Sequence, residues 1–316
     1  MRYGSIAIFG RSNVGKSTFL NSALGMPLAI VSPLPQTTRD ALLGVVNSGD
    51  AQLAFLDTPG LHRARNELGR RMNQHATDSL QSADLALFVT DIFQMSKRGD
   101  VRKAESKGRG NSRPSAQERS DAELLEMVPA ELPTLLVVNK IDRLRDKTKL
   151  LPFLSALNQL RDFRAIIPIS ALTGDGVDRV LSEAAALLPE RAAPFKADEI
   201  TNRPVAFFAR EYIREQVLAR ASREVPHAVA VTLDSIEERT SGLHVAATLH
   251  VEKPGQRSIL VGRGGEHVRD IGTAARQRLA ELTGGAVHLT LFVRVTERWR
   301  NVPRQLAELG YANADT

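Results

Sequence analysis

The chain contains no cysteine in 316 residues, which excludes a disulfide scaffold and fits a reducing compartment. It has no apolar run near the roughly 18 residues that would indicate a membrane-spanning helix. Its first apolar strand starts within a few residues of Met1, so no charged leader, apolar segment and cleavage site are expected ahead of it. A cytoplasmic protein with two hydrophobic cores is the expectation, because this length exceeds what one core usually serves. Peripheral contact with a surface such as the inner membrane stays open.

Positive charge is in excess, and it is unevenly placed. Of the net +6, residues 97–120 carry 8 basic and 3 acidic side chains (+5), and residues 253–316 carry 10 basic and 6 acidic (+4), so the remainder is net −3. Either basic region can neutralise nucleic-acid phosphates. The 97–120 stretch has almost no large apolar residues and is expected to be a disordered or mobile insert, with a solvated surface insertion as the plain alternative to an RNA contact.

Gly10-Arg11-Ser12-Asn13-Val14-Gly15-Lys16-Ser17 follows the apolar run Ile6–Phe9 and opens, through Thr18, into an amphipathic stretch. That order of strand, glycine loop and helix suits a phosphate cradle. Gly10 and Gly15 let backbone N–H groups turn inward, and the helix N-terminus adds partial positive charge. Lys16 is placed to reach the β- and γ-phosphates, and the Ser17 hydroxyl to ligate Mg²⁺. Three further turns follow apolar strands. Leu53–Leu56 ends in Asp57-Thr58-Pro59-Gly60, Leu135–Val138 in Asn139-Lys140-Ile141-Asp142, and Ala165–Ile169 in Ser170-Ala171-Leu172. Asp57 can hold the Mg²⁺ shell and the Gly60 N–H can meet the γ-phosphate. Asp142 can accept from guanine N1–H and the exocyclic amine, which adenine does not offer in that arrangement. The Ser170-Ala171-Leu172 backbone can close over the base. Singly, Asp-Thr-Pro-Gly and Ser-Ala-Leu are ordinary turns; four turns in this order, each after its own strand, indicate a guanine-nucleotide site.

Pro189, Pro194 and Pro204 bound a polar stretch that separates two domains: 1–188, a linker at 189–203, and 204–316. Beyond it, apolar spacing predicts a helix over 204–221 and strands over 229–233, 243–251 and 287–295. Gly262-Arg263-Gly264-Gly265 lies between the later strands, ahead of a helical run from Ile271 to Leu282. Alone, a Gly-x-x-Gly is as readily a helix–turn–helix without a ligand. Here Arg257, Arg263, Arg269, Arg276 and Arg278 surround it.

These motifs resemble the Era family of ribosome-assembly GTPases over nearly the whole chain apart from the insert. Pro35-Gln36-Thr37-Thr38-Arg39-Asp40 is similar to that family's first switch and Asp57–His62 to its second, and Glu199–Tyr311 resembles its C-terminal KH domain. The implied fold is a P-loop GTPase domain, α/β with a doubly wound, mostly parallel sheet, followed by an α+β KH domain. The resemblance implies GTP hydrolysed to GDP with Mg²⁺ on Ser17, Asp57 and Thr38, Thr37 being the neighbouring candidate for the switch threonine. It implies binding of the single-stranded 3′ end of 16S rRNA on the small ribosomal subunit, with Arg257, Gly262, Arg263, Gly264, Gly265 and Arg269 in contact and no DNA. The clamp departs from the family in its interior pair Arg263-Gly264, where a more strongly basic pair is common, and in being followed by Glu266, which opposes a phosphate placed there; Asn202 stands where an acid is usual in the linker. Leu61 occupies the place where many GTPases keep the glutamine that orients water, so slow hydrolysis is expected. In related GTPases with that replacement a P-loop asparagine helps bind K⁺; Asn13 is the candidate here, against a role in capping the loop. Arg39 is likewise read either as a finger or as switch packing. The alternatives are an RNA chaperone or processing adaptor acting on another RNA, and a peripheral membrane or cell-cycle signalling GTPase.

Overall fold

Arg2–Phe9 forms β1, the strand around which the first sheet is wound. Lys16–Leu24 (α1) returns the chain to β2 (Leu42–Ser48) and β3 (Ala51–Asp57), and α2 (Glu67–Gln81) carries it to β4 (Leu85–Asp91). After α3 (Asp121–Leu125) come β5 (Thr134–Asn139), α4 (Leu150–Asn158), β6 (Ala165–Pro168) and α5 (Val177–Leu187). The strand order is β2-β3-β1-β4-β5-β6, parallel except for the β2–β3 hairpin. Every residue of β4 and β5 is buried, which is why these segments read as unbroken apolar runs rather than alternating ones. Chain direction away from β1 reverses between β3 and β4, and the crevice at the carboxyl ends there is where such sheets take ligands.

The computed structural model describes residues 1–35, 37–92, 120–146, 148, 150–221 and 224–311. The insert expected at 97–120 lies outside them except for Ser120, which caps α3, and Gln36 of the first switch lies outside as well. Two compact units result: Met1–Ala29, Thr38–Ala64 and Met72–Asn202 form one, and Ile30–Thr37, Arg65–Arg71 and Arg203–Thr316 the other. Among the described residues no helix is long and apolar enough to cross a membrane.

The polar stretch after Pro189 is pinned to the first sheet. Val45 N–H donates to the Ile200 carbonyl at 2.8 Å, Gln52 Nε2 donates to the Phe195 carbonyl at 3.0 Å, and Phe195 packs against Leu43, Val45 and Ala54. It thereby shields β2, an edge strand whose open backbone would otherwise invite pairing.

In the second unit α6 (Val205–Arg220) and the short α7 (Val225–Ala228) precede β7 (Ala230–Arg239) and β8 (Gly242–Val251). Then come α8 (Pro254–Val261), α9 (Glu266–Thr283), β9 (Val287–Val295) and α10 (Pro303–Glu308). The sheet order is β7-β8-β9, with β7–β8 antiparallel and β8–β9 parallel. Ile213 and Val217 of α6 and Ile271 and Ala275 of α9 share a core with Ala247 and Leu249 of β8. Trp299 is fully buried, donates Nε1–H to the Ala228 carbonyl at 2.9 Å and stacks on Tyr311. The helix predicted from Ile271 starts five residues earlier, because Gly265 in the left-handed region (φ 79°) ends the preceding turn and lets α9 begin at Glu266.

Candidate functional site

The phosphate loop has the geometry that its glycines imply. Gly10 (φ 143°) and Gly15 (φ 99°) adopt backbone conformations that side chains rarely take, and a Cβ on either would lie 2.2 Å from the Val89 carbonyl or 2.3 Å from Asn139 Nδ2. Asn13 is also left-handed (φ 61°) and exposed. Helix α1 starts at Lys16, after Gly15 at its N-cap, with no side-chain cap and no acidic residue in its first turn. Its first turn therefore brings no acidic side chain of its own to compete for the N-terminal N–H groups and their partial positive charge.

Lys16 is buried, with Nζ 3.1 Å from the Gly10 carbonyl and 2.9 Å from that of Arg11. Burial lowers its pKa to about 8, against the opposing pull of Asp57. These neutral carbonyls are weak partners for a buried ammonium, and triphosphate oxygens would be stronger ones. Arg11 is oriented differently: its Nε lies 3.4 Å from Asp121 Oδ1, and the other Asp121 oxygen accepts from Thr90. The Arg11 side chain thus braces the loop while its backbone carbonyl faces Lys16 Nζ.

Ser17 Oγ, Thr38 Oγ1 and Asp57 Oδ2 converge. Ser17 donates to Asp57 at 2.6 Å, Thr38 donates to Asp57 at 3.2 Å, and the two hydroxyls are 3.0 Å apart. Asp57 is fully buried and its Oδ1 has no hydrogen-bond partner among the described residues. Burial pushes its carboxyl pKa up, while Lys16 and the two hydroxyls hold it down. A buried carboxylate with an orphaned oxygen, flanked by two hydroxyls, is an oxygen-only donor set that fits Mg²⁺. Thr37 Oγ1 lies apart from this cluster and donates to the Leu34 carbonyl at 2.8 Å.

Thr58 Oγ1 fixes the second switch by donating to the Ile8 carbonyl at 2.7 Å. Gly60 passes so close to the phosphate loop that a Cβ would sit 2.8 Å from Ser12 Oγ. Pro59 between them is buried. Leu61 is 1% exposed and belongs to the core that includes Phe9, Phe88 and Leu136. Its side chain fills that core, so shortening it leaves a cavity of a kind that costs about 2–5 kcal/mol of stability. Arg39 is also buried.

Asn139 ties three loops together. Its Nδ2 donates to the Val14 carbonyl at 2.8 Å, while Oδ1 accepts from the Lys140 and Ala171 amides at 2.7 and 2.9 Å. Lys140 Nζ donates to the Asn13 carbonyl and to Asp91, at 2.5 and 2.7 Å. Asp142 is exposed, and its Oδ1 accepts from Ser170 Oγ at 2.7 Å. One carboxylate face is thereby fixed and the other left for a base. The Leu172 side chain is 76% exposed, which leaves only its backbone available to a base held beside Asp142. For Asp142→Asn, GTP affinity is expected to fall at least about a hundredfold and that for xanthosine triphosphate to rise, because the C2 carbonyl of xanthine accepts where guanine donates. Competition binding with both nucleotides checks this, and unchanged GTP affinity would remove Asp142 from the base site.

In the second unit the four-residue turn separates two kinds of glycine. Gly262 is required by its surroundings, since a Cβ would sit 2.7 Å from the His267 ring. Gly264 (φ 62°) and Gly265 (φ 79°) face open space, and a Cβ on either would meet no atom within 4 Å. A groove of about 710 Å³ runs from Gly265 between α9 and β9, lined by Arg269, Gly272, Arg276, His288, Thr290 and Leu291 among others. Arg263 and Arg257 are exposed nearby, though Arg257 Nε donates to the Val293 carbonyl at 3.3 Å. Arg278 departs from the expected basic cluster: it pairs with Glu215 at 3.6 Å and lies over the Tyr212 ring. The motifs alone do not single out the groove residues on β9, although strict alternation there marks His288 and Thr290 as the exposed set.

Comparison with known proteins agrees with both halves. A profile described as 50S ribosome-binding GTPase matches residues 5–140, and a KH domain profile matches residues 224–300. GTPase Era from Ruminiclostridium cellulolyticum is 38% identical over 98% of this chain and 97% of its own. GTPase Era from Xanthomonas oryzae pv. oryzae is 39% identical with the same coverage of each chain. Among solved structures, an Aquifex aeolicus Era variant bound to GDP and AlF₄⁻ superposes with a TM-score of 0.88 at 33% identity, covering 99% of this chain and 100% of that one. Era in complex with MgGDPNP and nucleotides 1506–1542 of 16S ribosomal RNA gives 0.87 at 33% identity, covering 99% of each. With identity of this level along nearly its full length, and with both halves built as the motifs require, the chain belongs to the GTPase Era family.

Proposed function

We propose that this GTPase binds the 3′ end of 16S rRNA in its GTP-bound state and assists maturation of the small ribosomal subunit, hydrolysis ending the bound period. The observation that carries the RNA half is the side-chain-free turn at Gly264 and Gly265 opening onto a groove with Arg269 and Arg276 on its wall. A bare turn lets a nucleic-acid backbone approach closely, and flanking guanidinium groups neutralise its phosphates. Glu266 is exposed beside the turn, and as an acid there it lowers affinity without closing the groove. The Era–RNA complex, which contains nucleotides 1506–1542, supports this choice of RNA. Crosslinking to total RNA with GDPNP or GDP bound tests it: enrichment of the 16S 3′ end with GDPNP is expected, and enrichment of an unrelated RNA would redirect the assignment to a different processing step.

In the nucleotide half, Ser17, Thr38 and Asp57 would hold Mg²⁺, which supplies charge neutralisation at the β- and γ-oxygens. Lys16 and the α1 N-terminus orient the same oxygens, and Asp142 sets the base. Leu61, locked in the core, leaves the attacking water without a side chain from that position, consistent with slow turnover. Asn13, exposed on the phosphate loop, is the proposed aid to K⁺ binding beside the phosphates. Replacing Na⁺ by K⁺ is then expected to raise single-turnover hydrolysis several-fold in the parent and to have no effect in Asn13→Ala. An equal response to K⁺ in both proteins would return Asn13 to a loop-capping role.

A further inference from the structure

The second switch ends in a buried histidine to which recognition of phosphate, Mg²⁺ and base assigns no task. His62 is 8% exposed, and its ring Nδ1 lies 3.1 Å from the Gly60 carbonyl oxygen. A carbonyl can only accept, so Nδ1 carries the hydrogen and donates. The backbone of His62 is held in turn by Asn73 of α2. The His62 N–H donates to Asn73 Oδ1 at 3.3 Å, and Asn73 Nδ2 donates to the His62 carbonyl at 2.7 Å. Gly60, His62 and Asn73 all belong to the same compact unit as the phosphate loop.

Gly60 is the joint between two planar peptide units. The first, Pro59–Gly60, carries the Gly60 N–H, the donor expected at the γ-phosphate. It is restricted by the fixed φ of Pro59 and by Thr58, whose N–H and hydroxyl both donate to the Ile8 carbonyl, at 3.4 and 2.7 Å. The second, Gly60–Leu61, is anchored by the Leu61 side chain in the core and by His62 on its oxygen. Glycine pivots more freely than any other residue, so an N–H on this joint keeps one direction only when both units are held. Without the His62 bond the second unit keeps a single anchor, at a side chain rather than at the peptide itself. The neighbouring pair of Arg63 with Glu123, at 3.1 Å, is exposed on both sides and adds little.

We propose that His62 is a positioning residue for GTP: held by Asn73, it fixes the Gly60–Leu61 peptide and so presets the Gly60 N–H for the γ-phosphate. Binding of the triphosphate then does not have to order the joint first, and the saved ordering appears as affinity. GDP has no γ-phosphate, so the effect falls on GTP alone. The proposal rests on the assignment of the Gly60 N–H to the γ-phosphate. Gly60→Ala tests that assignment separately, because an added Cβ would meet Ser12.

The test uses the full chain with Mg²⁺ and fluorescent GDPNP and GDP. His62→Phe keeps an aromatic ring in the buried space and removes the donor, whereas His62→Asn keeps a donor near the Nδ1 position and removes the rest of the ring. His62→Phe is expected to weaken GDPNP about fivefold to tenfold, the equivalent of one neutral hydrogen bond, while GDP stays within about twofold. His62→Asn recovers part of the loss, and Arg63→Ala leaves the ratio of the two affinities as in the parent. A parent-like ratio in a folded His62→Phe protein overturns the proposal, as does an equal shift in His62→Asn or in Arg63→Ala. A ratio shifted in Gly60→Ala but not in His62→Phe removes His62 alone. An unshifted ratio in Gly60→Ala removes the γ-phosphate contact and the proposal with it. If His62→Phe is unfolded by circular dichroism, Asn73→Asp, which keeps the acceptor for the His62 N–H but not the donor to its carbonyl, is read by the same ratio.

Discussion

Lys16→Ala is expected to lower kcat/KM for GTP by about a thousandfold or more, equivalent to about 4 kcal/mol of lost transition-state stabilisation. Lys16 is a buried ammonium whose partners here are two backbone carbonyls, while its pKa is lowered to about 8 chiefly by burial. Such a group stabilises a folded site poorly and an anionic ligand strongly. Its removal should therefore leave thermal stability close to that of the parent, or raise it, while GTP binding and turnover collapse. Isothermal titration with GDPNP and a phosphate-release assay on the same preparation check both sides. Retained turnover would mean that the α1 N-terminus alone carries the γ-phosphate charge, and the assignment of Lys16 would be withdrawn.

The motifs that stand at strand ends were legible in sequence because each is local: an apolar run, then a turn of fixed chemistry. Gly10–Ser17, Asp57–Gly60 and Asn139–Asp142 fall at the carboxyl ends of β1, β3 and β5 for that reason. What sequence left open depends on partners far along the chain. Thr37 and Thr38 are adjacent and chemically alike, and only the Leu34 turn on one side and Ser17 and Asp57 on the other separate them. Arg278 reads as one of a basic cluster until Glu215, 63 positions earlier, is seen beside it. The early start of α9 was hidden because its first turn, Glu266–Asp270, is largely exposed and carries no apolar period.

Gly265→Asp is expected to reduce affinity for single-stranded 16S 3′-end RNA by about a hundredfold or more, through a carboxylate placed where phosphates pass. Open space around the Gly265 Cβ position means that the added side chain meets no protein atom. The strain is confined to the left-handed backbone, which aspartate tolerates better than most residues. The variant should thus fold, bind GTP as the parent does, and fail on RNA. Parent affinity should fall with rising salt, since Arg263 and Arg269 are taken to release counterions on binding. RNA binding equal to the parent in a folded Gly265→Asp protein would move the RNA site elsewhere, with the basic stretch at 97–120 the next candidate.

The central claim is that one chain couples a guanine-nucleotide site to an RNA groove. The most direct measurement is the affinity of the parent for a labelled RNA of the 16S 3′ end with GDPNP and with GDP, at one salt concentration, beside Gly265→Asp. Tighter binding with GDPNP than with GDP in the parent, and weak binding with either nucleotide in the variant, is the predicted result. Equal affinity in the two nucleotide states would contradict it, even if both were tight.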